Sequence, residues 1–171
     1  MKTLTITDHL DSIRKCEDEI HGLTKRGDEN VAVLRHFITE GDLDSQSIVD
    51  ELCRAQALAA LIPLRIQSRV AAITIGEESL LMSCHAAIQD QLSPMIVKLK
   101  ALARAKVRAT LAPHLREEHE LARSIESSDL VRRLNGISVF VTHTPMNGVR
   151  AYAATIIAAL AAAEAIGREL S

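Results

Sequence analysis

The chain has 171 residues, 47% of them hydrophobic but only 2% aromatic, with no Trp and a net charge of −2. The near-neutral balance excludes a polyanion mimic and a basic nucleic-acid binder over the whole chain. The lack of rings argues against a site that stacks bases or sugars, since only Phe37, Phe140 and Tyr152 could serve one.

A core without large rings must be filled by Leu, Ile, Val and much Ala. Alanine lets helix backbones approach closely, so a single-domain, mainly α, multi-helix bundle is expected, with at most a minor two-stranded β element. Charge is uneven: residues 1–53 hold 6 Lys/Arg and 12 Asp/Glu, whereas residues 54–171 hold 14 and 10. An acidic N-terminal part can therefore pack on the basic remainder, within one chain or between copies. Cys16, Cys53 and Cys84 are odd in number, far apart and outside any CxxC pair. They read as reduced, buried thiols of a cytoplasmic protein. The opening MKTLTITDHL lacks a long apolar core, so no secretory signal is expected.

In chain order, Lys2–Thr7 alternates like a short strand. Thr7 or Asp8 then caps a helix to about Arg26, ended by Gly27, with Ile13, Cys16, Ile20 and Leu23 as its inner stripe. A second helix, Asp28–Glu40, turns Val31, Leu34, Phe37 and Ile38 inward and stops at Gly41. Asp44 or Ser45 caps a third, which buries Ile48, Val49, Leu52, Ala55, Leu58 and Leu61 or Ile62. Pro63 reads as a turn or a restart. Leu64–Ile75 fits a helix through Ile66, Val70 and Ile73, though Ile73–Ile75 also reads as extended. Gly76 then separates this part from a long central stretch.

From about Glu77 to Ser127 the chain has no glycine and a strong helix composition. Leu81, His85, Ile88, Leu92, Met95, Leu99 and Leu102 alternate four-three spacings, the pattern of coiled-coil seams. Because that register passes through Pro94 unbroken, the proline is expected to kink this long helix rather than end it. Pro113 either kinks or breaks it. The long helix (about 77–127) would then form part of a projecting hairpin.

Ser128 caps a short helix, Asp129–Leu134, closed by Asn135–Gly136. Ile137–His143 is β-branched and flanked by Asn-Gly pairs, so it is expected to be a strand pairing with residues 2–7 or with another copy. The last helix, Val149–Leu170, is mostly alanine around the ridge Tyr152, Ile156, Leu160, Ala163, Gly167 and Leu170. Its uncharged run, Ala151–Ala163, falls short of the roughly 20 apolar residues of a membrane span. It reads as a buried or subunit-interface helix, with no membrane partner.

Few residues group as chemistry would require. His114-Leu-Arg-Glu-Glu-His119 resembles the HxxEH zinc motif of inverzincin peptidases, but its histidines are five apart, about 140° round a helix, and do not converge. Asp18-x-x-His21 is half of a di-metal bundle site without the second half. Cys84 and His85 point about 100° apart. There is no glycine-rich phosphate loop. Thr142–Gly148 is a polar loop that reads as a connector. No metal or cofactor is assigned. The basic run Lys98, Lys100, Arg104, Lys106 and Arg108 contains no acid. Its stripe Lys100–Arg104–Arg108 could track phosphates, meet the acidic helices or face water.

No family resemblance reaches the level of quotable residues. The expected function is non-enzymatic: a homo-oligomeric assembly, scaffold or adaptor protein, for example a component of a phage or other large particle. Its oligomer or bundle contacts are expected at Leu81, Ile88, Leu92, Met95, Leu99, Leu102, Tyr152, Ile156 and Leu160. The alternatives are a nucleic-acid-associated regulator using the basic stripe and a metal-dependent helical enzyme.

Overall fold

A computed structural model describes residues 5–40, 46–115, 117–143 and 148–171. Its elements are all helical: α1 (Ile6–Glu40), α2 (Gln46–Ala87), a π-turn (Ile88–Leu92), α3 (Ser93–Leu111), α4 (Glu118–Glu126), α5 (Asp129–His143) and α6 (Val149–Leu170). The all-α class read from composition is therefore what the chain adopts. Two compact units result, one of Thr7–Ser79 and one essentially of Leu80–Ser171.

The first unit is an antiparallel helical hairpin. Along α1, Ile13, Cys16, Ile20, Leu23, Gly27, Asn30, Leu34 and Phe37 are all buried or half-buried, and they alternate steps of three and four. Ile48, Leu52, Ala55, Ile62, Ile66, Ile73 and Gly76 keep the same repeat along α2, with steps of seven where Ala59 and Arg69 are exposed. The register is fixed by Ile13 against Gly76, Gly27 against Ile62 and an ion pair between Glu19 and Arg69. The buried Asn30 donates from Nδ2 to the Ala55 carbonyl at 2.7 Å.

Several expected helix stops are absent. Gly27 lies inside α1, so the two expected helices flanking it are one. Pro63 and Gly76 likewise lie inside α2. Gly76 is there for close approach: a Cβ on it would stand 3.0 Å from Ile13 Cγ1. A mid-helix glycine costs only about 1 kcal/mol, which packing of this kind offsets. Val31, Ile38, Val49, Cys53 and Leu58, expected inside, are exposed, and of the alternatives Leu61 and Ile62 it is Ile62 that is buried. Gly41, Asp44 and Ser45, expected as stop and caps, lie outside the described residues.

The second unit is a bundle in which α3, α5 and α6 pack against one another and α4 packs on α3 and α5. Leu80, Cys84, Leu92, Val131, Leu134, Ile156 and Ile166 are among its fully buried side chains. The small residues Ala103, Ala153 and Ala163 are 0% exposed, so helix backbones meet closely there.

The expected long helix differs in both bounds and register. It does not begin at Glu77, since helix is continuous from Gln46, and it does not run to Ser127. Ala112–His114 turns, Glu117 is extended (ψ 123°) and α4 starts afresh, so Pro113 marks a break. At Pro94 the helix continues by way of the π-turn, where the Ser93 amide bonds the Ile88 carbonyl, five residues back. The wide turn just before the proline relieves its clash with the preceding turn. It also inserts one residue into the repeat. The buried face runs Leu80, Cys84, Ala87, then Leu92, Ile96, Leu99 and Ala103. Of the expected seam, His85 is exposed, Leu102 is 48% exposed, and Leu81, Ile88 and Met95 are half-buried.

Both expected strands are overturned where they are described. Ile137–His143 is the last half of α5, which passes straight through Asn135–Gly136. There Val131, Leu134 and Val141 are buried, with Ile137 and Ser138 half-buried, a helical face that outweighs β-branched propensity. Residues 2–4 of the expected first strand lie outside the described residues, and Ile6 already begins α1.

Candidate functional site

The basic run of α3 sits among carboxylates. Arg104 makes a two-pronged contact with Glu126 of α4, 2.7 Å from Nε to Oε1 and 3.1 Å from Nη2 to Oε2. Arg108 donates to Glu118 at 2.6 Å. Lys106 donates to the Glu169 carbonyl at 3.1 Å. Lys98 is exposed and lines a shallow groove between α3 and the end of α6, and Lys100 is half-buried. Hydrogen bonding to Glu126, then its charge, raises the Arg104 pKa. Two members of the Lys100–Arg104–Arg108 stripe are thus held by α4, whose carboxylates a polyphosphate would have to displace.

Five of the nine expected contact residues pack within the bundle. Leu92, Leu99, Tyr152 and Ile156 are buried in its core, and Leu160 is half-buried at its edge. Burial raises the Cys84 thiol pKa, which disfavours a nucleophilic thiolate. Burial, and next the neighbouring Cys84, raises that of Tyr152. His85 is exposed and lies edge-on to Tyr152, with ring centroids 6.3 Å apart.

His114 and His119 do not form a metal pair. Among the described residues, the three whose ligand atoms do converge, within 4.8 Å of one another, are Glu117, His119 and Glu120, all exposed. His119 Nδ1 lies 3.4 Å from Glu117 Oε2. Such a cluster is common on charged surfaces. The polar loop Thr142–Gly148 falls mostly outside the described residues.

Comparison with known proteins gives no matching family model, curated protein or solved structure.

A surface that the expected inner faces share only at Leu61 lies on the hairpin. Ala57, Leu61, Leu64, Ser68, Ala71 and Ile75 alternate steps of four and three along α2. Leu61 is 50%, Leu64 62% and Ile75 63% exposed. At 3.6 residues per turn this stripe lies roughly 160° round the helix from Ala55, Ile62, Ile66 and Ile73, which face α1. So α2 carries two heptad-spaced faces back to back, and α1 covers only one. The four-three spacing behind the expected seam at Leu81–Leu102 recurs here. Assigning each residue to a single inner face hides it.

Two grooves flank the hairpin seam, each of about 400 Å³. Glu19, Arg26, Arg65 and Arg69 line the first, and Leu23, Val33, Leu58 and Leu61 contribute apolar surface to the second. By length and composition alone, helices over Gln46–Leu111 and Val149–Leu170 are apolar enough to cross a membrane, and a third of the relevant stretch of α6 is buried inside the bundle.

Proposed function

We propose that this is a non-enzymatic helical assembly or scaffold protein of the cytoplasm, or of a particle assembled there, acting through homo-oligomeric, coiled-coil-like contacts. The observation that carries the reading is the exposed heptad stripe of α2. A hairpin of two long helices shields one face of each and leaves the other in water. Fully burying a Leu or Ile side chain contributes about 1.5–3 kcal/mol, so leaving Leu61, Leu64 and Ile75 in water forgoes several kcal/mol that a partner helix would recover. Contiguous exposed apolar surface of this kind marks protein contacts. A regulator working through nucleic acid has less support, because Glu118 and Glu126 already occupy Arg108 and Arg104.

Light scattering over a dilution series tests the proposal. The expected result is a mass of at least two chains at micromolar concentration, falling on dilution. A single-chain mass throughout would overturn it. Adding duplex or single-stranded nucleic acid at low salt is expected to leave that mass unchanged; a salt-sensitive complex would favour the regulator instead.

A further inference from the structure

We propose that the outer stripe of α2 is the self-association surface, and that it pairs antiparallel with the same stripe of a second copy about a two-fold axis level with Ile66. This rests on the assembly reading and specifies its partner and geometry.

The order of residues carries the argument. When the stripe is reversed and laid on itself, Ala57 meets the partner's Ile75, Leu61 meets the partner's Ala71, and Leu64 meets the partner's Ser68. Each layer, with its two-fold mate, sets one large side chain against one small one. Near-constant layer volume lets two helices approach closely along about 27 Å without voids. A parallel pairing would instead stack Leu on Leu and Ser on Ser, leaving some layers wide and others narrow.

Charge agrees with size. The next positions of the same repeat, three residues before Ala57 and three after Ile75, are Arg54 and Glu78. Neither takes part in an ion pair among the described residues. The antiparallel arrangement sets Arg54 against the partner's Glu78 at both ends of the seam. Parallel pairing would set like against like at both ends, a penalty that selects the register. The isologous contact closes on itself, as two-fold dimer interfaces do.

Sedimentation equilibrium of the full chain tests this with four proteins: wild type, Leu64→Glu, Arg54→Glu, and the double swap Arg54→Glu/Glu78→Arg. None of the substituted side chains belongs to the buried core, so helix content by circular dichroism should be unchanged. We expect wild type to associate and Leu64→Glu to be monomeric. Arg54→Glu should weaken association by about tenfold, through two like-charge contacts per dimer, and the double swap should restore it to within about threefold. Failure of the double swap to restore association would overturn the antiparallel register. Association undiminished in Leu64→Glu would overturn the stripe as the interface while leaving the assembly reading intact. A monomeric wild type would overturn both, as would a monomer that floats with phosphatidylcholine vesicles.

Discussion

The hairpin and the bundle are made of similar residues, and they dispose of them differently. In the bundle, α3, α5 and α6 cover one another, and Leu80, Leu134, Ile156 and Ile166 are sealed from water. In the hairpin, Ile13 is the one large side chain sealed to the same degree among the described residues. Two helices have only one mutual face, so a helix patterned on both sides must leave one uncovered. Leucine and alanine at heptad spacing thus specify a core in one unit and an exposed apolar face in the other, and the number of neighbouring helices decides which.

The largest expected effect contrasts the two directly. Leu134→Ala, in the sealed core, should cost about 2–5 kcal/mol of stability at any protein concentration. Leu64→Ala should cost little in dilute solution but lower the melting temperature of concentrated protein relative to wild type. Thermal denaturation at two concentrations separates these outcomes. Equal concentration dependence for both variants would dissolve the distinction.

Asn30 is the hairpin's own fixed point. Asn30→Ala removes the buried bond to the Ala55 carbonyl and should cost roughly 1–3 kcal/mol in chemical denaturation. A neutral result would mean that the seam does not depend on this bond.

Glycines sharpen the comparison at a smaller scale. Gly22 in the hairpin and Gly136 in the bundle have nothing within 4 Å of an added Cβ. Gly22→Ala and Gly136→Ala should each raise stability by about 0.5–1 kcal/mol. Gly76→Ala should lose that gain, because its methyl would press on Ile13. Equal gains at all three positions would refute the close approach.

These same residues show how far the amino-acid order alone reaches. The inner stripe Ile13–Cys16–Ile20–Leu23 is visible because its period is uninterrupted. Gly27 and Gly76 read as stops because a glycine suited to close packing looks, in sequence, like one suited to a turn. Ile137–His143 reads as strand because its β-branched residues mask the helical spacing begun at Val131 and Leu134. The π-turn leaves no compositional trace, so the register after Leu92 is not legible in advance. At the candidate surface, the basic stripe is legible as a set of residues. Its carboxylate partners come from α4, which glycine-free composition merges into one helix with α3.

The smallest expected effect lies on the bundle surface, where Arg133 grips Glu169 with two hydrogen bonds of 2.8 and 2.9 Å. Hydrogen bonding to Arg133 holds the Glu169 carboxyl below its ordinary value of 4.5. A depressed carboxyl pKa contributes stability above pH 4.5, lost as pH falls through the folded-state value. Glu169→Gln should remove that part of the acid sensitivity, read as a shallower loss of melting temperature below pH 4.5. An unchanged acid profile would show that the pair contributes nothing.

Amide hydrogen exchange, followed on α2 and α6 across a dilution series, tests the account most directly. Protection of α6 should be independent of concentration, because its neighbours belong to its own chain. Protection across residues 57–75 of α2 should rise with concentration as a second copy covers them. Identical, concentration-independent exchange in both helices would contradict the claim that the outer face of α2 is completed by another molecule.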